Sequence, residues 1–411
     1  MRTSKRKYML KEDPSNLLAP VFGAYRQRLC DGHYAPKVQA LYFATVFHFG
    51  DWLRTKGVAL AQVRDRHIRQ FLADHMPSCE CDRHTRGDTH TNRAALHLLG
   101  RVMQDTGFAM TRTMTPMDAE LSRFDAKMRE VWGYSESTRA ARCRIVKRFL
   151  TSTAGAHDID LDKVTKSDIS RFIIGDGTRG ASCGRGLSGA IRCFLRYRQL
   201  IGDDVTPLLA GLPRPPRPKP STLPEVLTDV EVHALLQSFS ADFPQRRRAF
   251  AIARCLIDLG MRSSEVAGLT LDDIDWVRST IRISHRKGRR ADILPLLEAT
   301  GQAISDYILH ERPAPACPNI FVRHRPPIGE PIGRRAVQTT MLAAYRRLGW
   351  DRSRVHILRH TLATRLLAKG TPMPVIADVM GHRSLDTTVV YTKLDSAWLS
   401  KVSLAWPGGT Q

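Results

Sequence analysis

The sequence predicts a mainly α-helical, multidomain protein with a small β-hairpin sheet in its C-terminal half. A chain of 411 residues is longer than a single hydrophobic core usually supports, so about two to four domains are predicted. Apolar residues recur at the period of α-helices along most of the chain, and strands are predicted only near residues 281–295. An apolar content of 42% and a charged content of 25% exclude a disordered or collagen-like chain.

The first half is predicted to be helical, and one apolar pattern occurs in it twice. The four apolar positions of Leu60–Phe71 have the same spacing as the four of Leu161–Phe172. This favours two related small helical domains; chance recurrence in unrelated helices is the alternative, and it leaves the helical prediction unchanged. Amphipathic helices are predicted before and after each copy, at residues 43–53, 93–103, 140–150 and 187–200.

A proline-rich segment, Gly211–Pro224, separates the two halves of the chain. Its composition predicts a stiff, basic linker. Thr228 and Glu231 follow at the spacing of a capping box, just before a run of apolar positions. A second folded region is therefore predicted to begin there.

The second half is predicted to be mixed. A helix is expected over Arg247–Leu259, and Gly260 ends it. Strands at Ile281–Ser284 and Asp292–Pro295 flank a basic turn, which predicts a β-hairpin. Further helices are expected at residues 299–310, 335–348, 355–369, 374–380 and 385–391, the third of them with a leucine stripe.

The charge of the chain predicts a polyanionic partner. Lys and Arg number 63 against 40 Asp and Glu, a formal net charge of +23, which favours nucleic acid over a merely basic surface. No segment reaches the ~18 uncharged apolar residues of a membrane helix, and the first residues lack the apolar stretch of a signal peptide. The eight cysteines are scattered, as in reduced proteins. We therefore expect a cytoplasmic protein without membrane contact.

Two pairs of polar residues stand out for their spacing. His356 and Arg359 are three residues apart, so that both can meet one phosphate from one helix face. By itself this spacing is more typical of two solvated surface residues. Arg262 lies at a helix junction between Gly260 and two serines that can cap the next helix. Glu265 either pairs with Arg262 or is an ordinary acidic residue favoured by the helix dipole.

The order of these features is more specific than any one of them. A single tyrosine, for example, is usually a buried structural residue. In chain order the set is L-G-M-R-S-S-E at 259–265, a hairpin with Lys287-Gly288, H-x-x-R at 356–359, Gly381-His382 and Tyr391.

This ordered set closely resembles the catalytic domain of tyrosine recombinases, the phage integrase family, over residues 225–395. Residues 120–210 resemble the core-binding domain of that family, and the N-terminal region resembles a second, SAM-like domain. The resemblance implies helical SAM-like domains followed by an α+β catalytic domain. The expected divisions are an N-terminal helical domain at 1–115, a core-binding domain at 116–212, a linker at 213–224, the catalytic domain at 225–395 and a tail at 396–411.

The resemblance also implies a role for each residue of the set, and every position is filled. The implied catalytic residues are Arg262 and Arg359 as phosphate-clamping arginines, Lys287 as the hairpin lysine, His356 and His382 at the two histidine positions and Tyr391 as the nucleophile, with Glu265 as acidic support.

The chemistry of these residue types agrees with those roles. In-line attack on a phosphodiester spreads negative charge over its oxygens, which fixed Arg and His donors can stabilise without a metal. A cationic cluster favours deprotonation of Tyr391, and Lys287 suits protonation of the departing 5′ oxygen. We expect Arg286, Arg289 and Arg290 to contact DNA phosphates or solvent. No cofactor is expected, because the sequence has neither a phosphate-loop motif nor acids arranged for two metal ions.

The resemblance implies a site-specific DNA recombinase that acts through a 3′-phosphotyrosine intermediate in the bacterial cytoplasm, associated with the nucleoid. Double-stranded DNA is the expected partner, with a homotetramer on synapsed DNA and other recombinases as further partners. The same site would also serve a transposase, a resolvase or a topoisomerase. Two alternatives do not cleave: an accessory or architectural DNA-binding protein of a multi-recombinase complex, and a basic structural protein in which the set is coincidental.

A cysteine pair in the N-terminal region invites a metal-site interpretation. Cys79 and Cys81 are followed by His84 and His90. The C-x-C spacing differs from the usual C-x-x-C of zinc sites, so a loop with chance cysteines is favoured. No metal is expected there from the sequence.

Overall fold

The computed structural model describes residues 13–79, 81, 88–108, 115–153, 161, 163–175, 181–213, 224–283, 292–314 and 317–381. The chain divides into two compact units. One comprises Met1–Gly57, Phe71–Phe108 and Pro220–Gln411, and the other comprises Val58–Gln70 and Ala109–Lys219. The N-terminal helices thus belong to the same unit as the C-terminal half, and the five divisions expected from the sequence stay a prediction.

Helices dominate the described residues, and none of these helices has the length and apolar character needed to cross a membrane. Short 3₁₀ turns lie at Leu60–Gln62, Met76–Ser78 and Leu271–Asp273, and a π-helical turn lies at Phe71–His75. The α-helices are α1 (Ala19–Asp31), α2 (Pro36–Thr55), α3 (Asp65–Gln70), α4 (Thr89–Asp105), α5 (Pro116–Glu130), α6 (Glu136–Thr153), α7 (Lys166–Ile174), α8 (Ala181–Leu200), α9 (Thr206–Ala210), α10 (Asp229–Gln237), α11 (Arg246–Asp258), α12 (Ser263–Gly268), α13 (Glu298–His310), α14 (Arg334–Arg347), α15 (His356–Ala368) and α16 (Met373–Met380).

The N-terminal helices of the first unit pack through their apolar faces. Phe22 of α1, Val46 of α2 and Leu99 of α4 are all buried. Tyr25 donates its hydroxyl hydrogen bond to the carbonyl of Ala95 at 3.0 Å, which ties α1 to α4. This buried bond satisfies the polar end of a fully buried ring.

The second unit has a core formed by α5, α6, α7 and α8. Phe124 and Phe194 meet edge to face at 5.3 Å. Glu120 is buried beside them, and its carboxylate accepts hydrogen bonds from Arg123 at 2.6 Å and Arg198 at 2.8 Å. Such pairing is what allows a carboxylate to remain charged inside a core.

The two inner positions of the repeated apolar pattern are buried in both copies, whereas Leu60 of the first copy and Phe172 of the second are only partly buried. Val63 and Ile68 are 0% and 4% exposed, and Val164 and Ile169 are 5% and 0% exposed. In each copy the valine precedes a helix and the isoleucine lies within it, in α3 and in α7. The helices expected in the first half are present, while descent of the two copies from one domain stays a prediction.

The C-terminal half contains a three-stranded antiparallel sheet in the order β1 (Ile274–Asp275), β2 (Thr280–Ile283) and β3 (Asp292–Pro295). Ile281 pairs with Ile274 on one side and with Leu294 on the other. The mainly helical fold class with a small hairpin sheet is confirmed. The sequence did not predict β1, because two residues are too few to show a strand period.

The apolar stripe expected on α15 is buried to different depths. Leu358 lies in the main core, whereas Leu362 and Leu366 are partly buried and pack against Ile376 and Met380. At the start of this half, the Leu227 amide donates to the Thr361 hydroxyl at 2.8 Å. The chain is therefore anchored on α15 directly after the proline-rich segment.

Candidate active site

Several helix ends meet at the predicted site, and a glycine allows the end of one helix to lie close to two others. Gly260 follows α11 with a left-handed φ of +57°. A Cβ atom at this position would lie 2.9 Å from Leu362 Cδ2 and 3.2 Å from Met380 Cε. Only glycine accepts both this φ and this contact without strain. The end of α11 therefore lies directly against α15 and α16.

Arg262 begins the next helix in a fixed geometry. It is the N-cap residue of α12 in extended conformation, so the expectation that a serine caps this helix is wrong: Ser263 is already its first residue. The Glu265 carboxylate accepts from the Arg262 backbone N–H at 2.8 Å and from its Nη1 at 2.6 Å. Glu265 is only 2% exposed. One buried carboxylate thus caps the helix and holds the guanidinium, so the two interpretations of Glu265 apply together.

Arg359 is held by backbone carbonyls at the ends of two helices. It is 3% exposed. Its Nη1 donates to the carbonyl of Gly260 at 2.5 Å, and its Nη2 donates to the carbonyl of Met380. The Nη2 of Arg262 donates to the next carbonyl, that of Gly381, at 3.2 Å. Because carbonyls at helix C-termini carry partial negative charge, they compensate the two guanidinium groups and fix their positions.

His356 completes the described part of the site. It is the first residue of α15 and is exposed. Partial desolvation lowers its pKa, and the positive charges of Arg359 and Arg262 lower it further, while Glu265 acts in the opposite direction. These charges act on His356 only because the four side chains lie close together. His356 is therefore neutral at neutral pH, where it can donate a hydrogen bond from one ring nitrogen and accept at the other.

His360 is a further neighbour, and it was not among the residues predicted from the sequence. Its ring centroid lies 5.9 Å from that of His356. Burial lowers the pKa of His360 to about 4, and the nearby His356 and Arg359 contribute to this shift. The signal available in the sequence was the i, i+4 spacing of the two histidines, which places them on one helix face.

The structure brings Arg262, Glu265, His356 and Arg359 together. The remaining predicted residues lie outside the described residues: Lys287, Arg286, Arg289, Arg290, His382 and Tyr391. In the sequence, the four basic ones fall between β2 and β3, and His382 follows Gly381, whose carbonyl binds Arg262.

The described site is suited to binding an anion such as phosphate. Two guanidinium groups are fixed before any ligand arrives, and 27% of the Arg262 side chain remains exposed to receive one. Arginine matches phosphate oxygens through its planar fork of donors. Donors held in place by buried partners need little reorganisation when negative charge develops.

Comparison with known proteins adds a second line of evidence. Residues 225–397 match the phage integrase family. The y4rA protein of Sinorhizobium fredii is 30% identical over 370 residues, which are 88% of this chain and 88% of that protein. Tyrosine recombinase XerC of Rhizobium meliloti is 31% identical over 304 residues, 69% of this chain and 91% of XerC.

A solved structure shows the same fold at lower sequence identity. XerH site-specific recombinase, bound to a palindromic difH substrate in a post-cleavage complex, superposes with a TM-score of 0.53 and 18% identity. The match covers 89% of this chain and 95% of XerH.

Proposed function

The chain belongs to the phage integrase family of tyrosine recombinases, and from this we propose that it breaks and rejoins DNA strands at a specific site through a 3′-phosphotyrosine intermediate. In this proposal Tyr391 is the nucleophile and Lys287 the general acid. Arg262, Arg359, His356 and His382 bind and stabilise the scissile phosphate.

One observation carries this proposal: two arginines are fixed on converging helix ends beside a neutral histidine. Arg359 is tied to the Gly260 and Met380 carbonyls, and Arg262 to the buried Glu265. A phosphodiester gains negative charge on its non-bridging oxygens as an attacking oxygen approaches. Fixed donors stabilise that charge without moving, which is how oxyanion-type sites lower a barrier.

The proposed reaction conserves the number of phosphoester bonds. The Tyr391 hydroxyl gives up its proton to solvent as its oxygen bonds to phosphorus. The bond from phosphorus to the 5′ oxygen breaks, and Lys287 supplies the proton that the 5′ oxygen needs. The products are a 3′-phosphotyrosine and a free 5′ hydroxyl. Because the adduct retains a phosphoester, the 5′ hydroxyl of another strand can reverse the step and restore continuous DNA without ATP.

The proposed partner is double-stranded DNA. The net charge of +23 supports this because cationic side chains displace counterions from the phosphate backbone. The XerH structure, which has a similar fold, contains its DNA substrate. We propose that protomers assemble as a homotetramer when two DNA sites are brought together, alone or with other recombinases, in the cytoplasm at the nucleoid.

A nicked suicide duplex tests the proposal directly. The DNA would be chosen from fragments that flank the gene and bind the protein. A nick placed close to the cleavage site makes the fragment with the free 5′ hydroxyl short, so that it diffuses away after cleavage and the covalent adduct accumulates. We expect the wild-type chain to form a covalent adduct that survives denaturation. Tyr391→Phe should bind the same DNA and form no adduct, because it lacks only the nucleophilic oxygen.

Two results would contradict the proposal. Absence of any adduct with a bound duplex would leave the chain as a non-cleaving, accessory DNA-binding protein. Equal adduct formation by Tyr391→Phe would show that another residue is the nucleophile. As a matched control, Tyr307→Phe removes a hydroxyl from a buried tyrosine of α13 and should leave adduct formation intact.

A further inference from the structure

The N-terminal helical region contains a cluster of side chains that the recombination chemistry does not use. His48, His75, Cys79 and Cys81 each offer one ligand atom, and the four atoms all lie within 4.8 Å of one another. Spacing along the chain associates the two cysteines with His84 and His90. The fold instead groups them with two histidines from earlier in the chain, one of which precedes Cys79 by 31 residues.

The distances within the cluster match the edges of a coordination tetrahedron. His48 Nε2 and His75 Nε2 are 3.1 Å apart. Cys79 Sγ lies 3.5 Å from His48 Nε2, and Cys81 Sγ lies 3.7 Å from His75 Nε2. Zinc bonds of about 2.0–2.1 Å to nitrogen and 2.3 Å to sulfur give tetrahedral edges of about 3.3 Å between nitrogens and 3.6 Å between nitrogen and sulfur. The observed edges therefore leave space for one ion at the centre.

Local structure explains how the four residues reach one point. His48 is buried in the middle of α2. His75 is the last residue of the π-helical turn Phe71–His75, and irregular turns of this kind often occur at functional sites. A 3₁₀ turn at Met76–Ser78 then leads directly into Cys79.

An aromatic shell surrounds the two histidines. Phe71 stacks edge-on to His48 at 5.1 Å and contacts His75 at 5.3 Å. Trp52 lies 6.0 Å from His75. An apolar shell limits access of water and strengthens metal–ligand bonds by lowering the local dielectric constant.

We propose that His48, His75, Cys79 and Cys81 bind one Zn²⁺ ion in a structural site. Two thiolates and two neutral imidazoles balance the charge of a divalent ion, and a tetrahedral set of two sulfurs and two nitrogens is typical of zinc. Four protein ligands leave no open position for a substrate or a water molecule. The ion stabilises this region by joining α2 to the C-x-C segment, independently of the proposed DNA chemistry.

Metal analysis of the intact protein tests the site. The full chain would be purified under reducing conditions with a tag that contains no histidines, and its zinc would be measured by mass spectrometry. We expect about one zinc per chain, since the four ligands form one closed site. After exchange into Co²⁺, the protein should show the ligand-field bands of tetrahedral cobalt and a thiolate-to-cobalt charge-transfer band.

Serine variants assign the metal to these residues. Cys79→Ser and Cys81→Ser should each lose most of the zinc and the charge-transfer band. Cys30→Ser is the matched control, because it removes another exposed thiol from the same region and should keep both. Retention of full zinc by Cys79→Ser and Cys81→Ser would overturn the proposal.

The wild-type measurement decides the matter even if the serine variants do not fold. Wild-type protein that contains no zinc, and takes up neither Zn²⁺ nor Co²⁺ after reduction, would also overturn it. So would cobalt-loaded wild-type protein without a thiolate charge-transfer band. Chelation should lower the unfolding temperature of the wild-type chain and of Cys30→Ser alike, because bound metal stabilises only the folded state.

Discussion

The buried carboxylate of Glu265 should decide whether Arg262 can act on a phosphate. It accepts two hydrogen bonds from Arg262, at 2.8 Å from the backbone and 2.6 Å from the guanidinium. In Glu265→Gln the side chain keeps its size and one acceptor oxygen. The variant loses the negative charge and presents an amide N–H₂ group where the guanidinium needs an acceptor.

The magnitude follows from burial and from the number of bonds. A hydrogen bond to a charged group contributes about 1.5–3 kcal/mol, and at least one is lost. The Arg262 side chain is 27% exposed, so water replaces part of the lost interaction. We expect the free energy of unfolding to fall by about 2–3 kcal/mol. Formation of the covalent DNA adduct should fall by about 10² to 10³, the usual effect of displacing one stabilising donor.

Urea unfolding and single-turnover adduct formation measure the two effects, the second at a temperature where both proteins are folded. DNA affinity should change little, because one phosphate contact is a small part of the whole interface. Glu298→Gln is the control: it makes the same chemical change at an exposed glutamate in the first turn of α13 and should stay within about 0.5 kcal/mol of wild type. If Glu265→Gln unfolds and cleaves like the wild type, Glu265 does not position Arg262.

Three further changes probe the same helix ends. Arg359→Lys should retain DNA binding and lose about 10²-fold or more in adduct formation, because one ammonium group does not reproduce a guanidinium held by two carbonyls. If the variant cleaves DNA within a few-fold of the wild-type rate, Arg359 does not have this role. Gly260→Ala should lower the free energy of unfolding by about 2 kcal/mol or more, because the new Cβ meets both a left-handed φ and close side-chain contacts. Gly349→Ala is the control: it has a φ of +71° and no atom within 4 Å of the new Cβ, so it should lose only the stability that the left-handed backbone conformation costs. Equal losses in the two variants would show that the contacts of Gly260 contribute nothing. In the folded chain the pKa of His360 is lowered to about 4, whereas in the unfolded chain it is about 6.5. As the pH falls from about 6.5 towards 4, the unfolded chain therefore binds a proton that the folded chain does not, and the free energy of unfolding decreases. The unfolding temperature should therefore fall less on acidification in His360→Gln than in the wild type, and identical profiles would argue against this shift.

Local patterns made much of the fold predictable. Helices such as α11 and α15 carry their apolar residues at helical spacing, and Gly260 marks the end of the first one in the sequence itself. The capping box of Thr228 and Glu231 is present as expected, with the Glu231 amide donating to the Thr228 hydroxyl at 3.2 Å. These features depend on residues within a few positions of one another, so the sequence alone contains their cause.

Contacts between distant residues were not predictable in this way. The Gly260 and Met380 carbonyls are backbone groups with no sequence signature, yet they hold Arg359 in place. His360 was not identified because its unusual pKa arises from burial. In the same way, the sequence has histidines on both sides of Cys79, and only the fold selects His75 and brings His48 of α2 to the same point.

The sequence by itself determined the order of the chemical residues, the helical spacing of His356 and Arg359 and the excess of positive charge. The tertiary structure alone decided that Arg262 and Arg359 lie at converging helix ends, with Glu265 buried beneath one of them. The physical reason is that residue type and local spacing are encoded along the chain, whereas burial and shared hydrogen-bond partners exist only after distant helices have packed together.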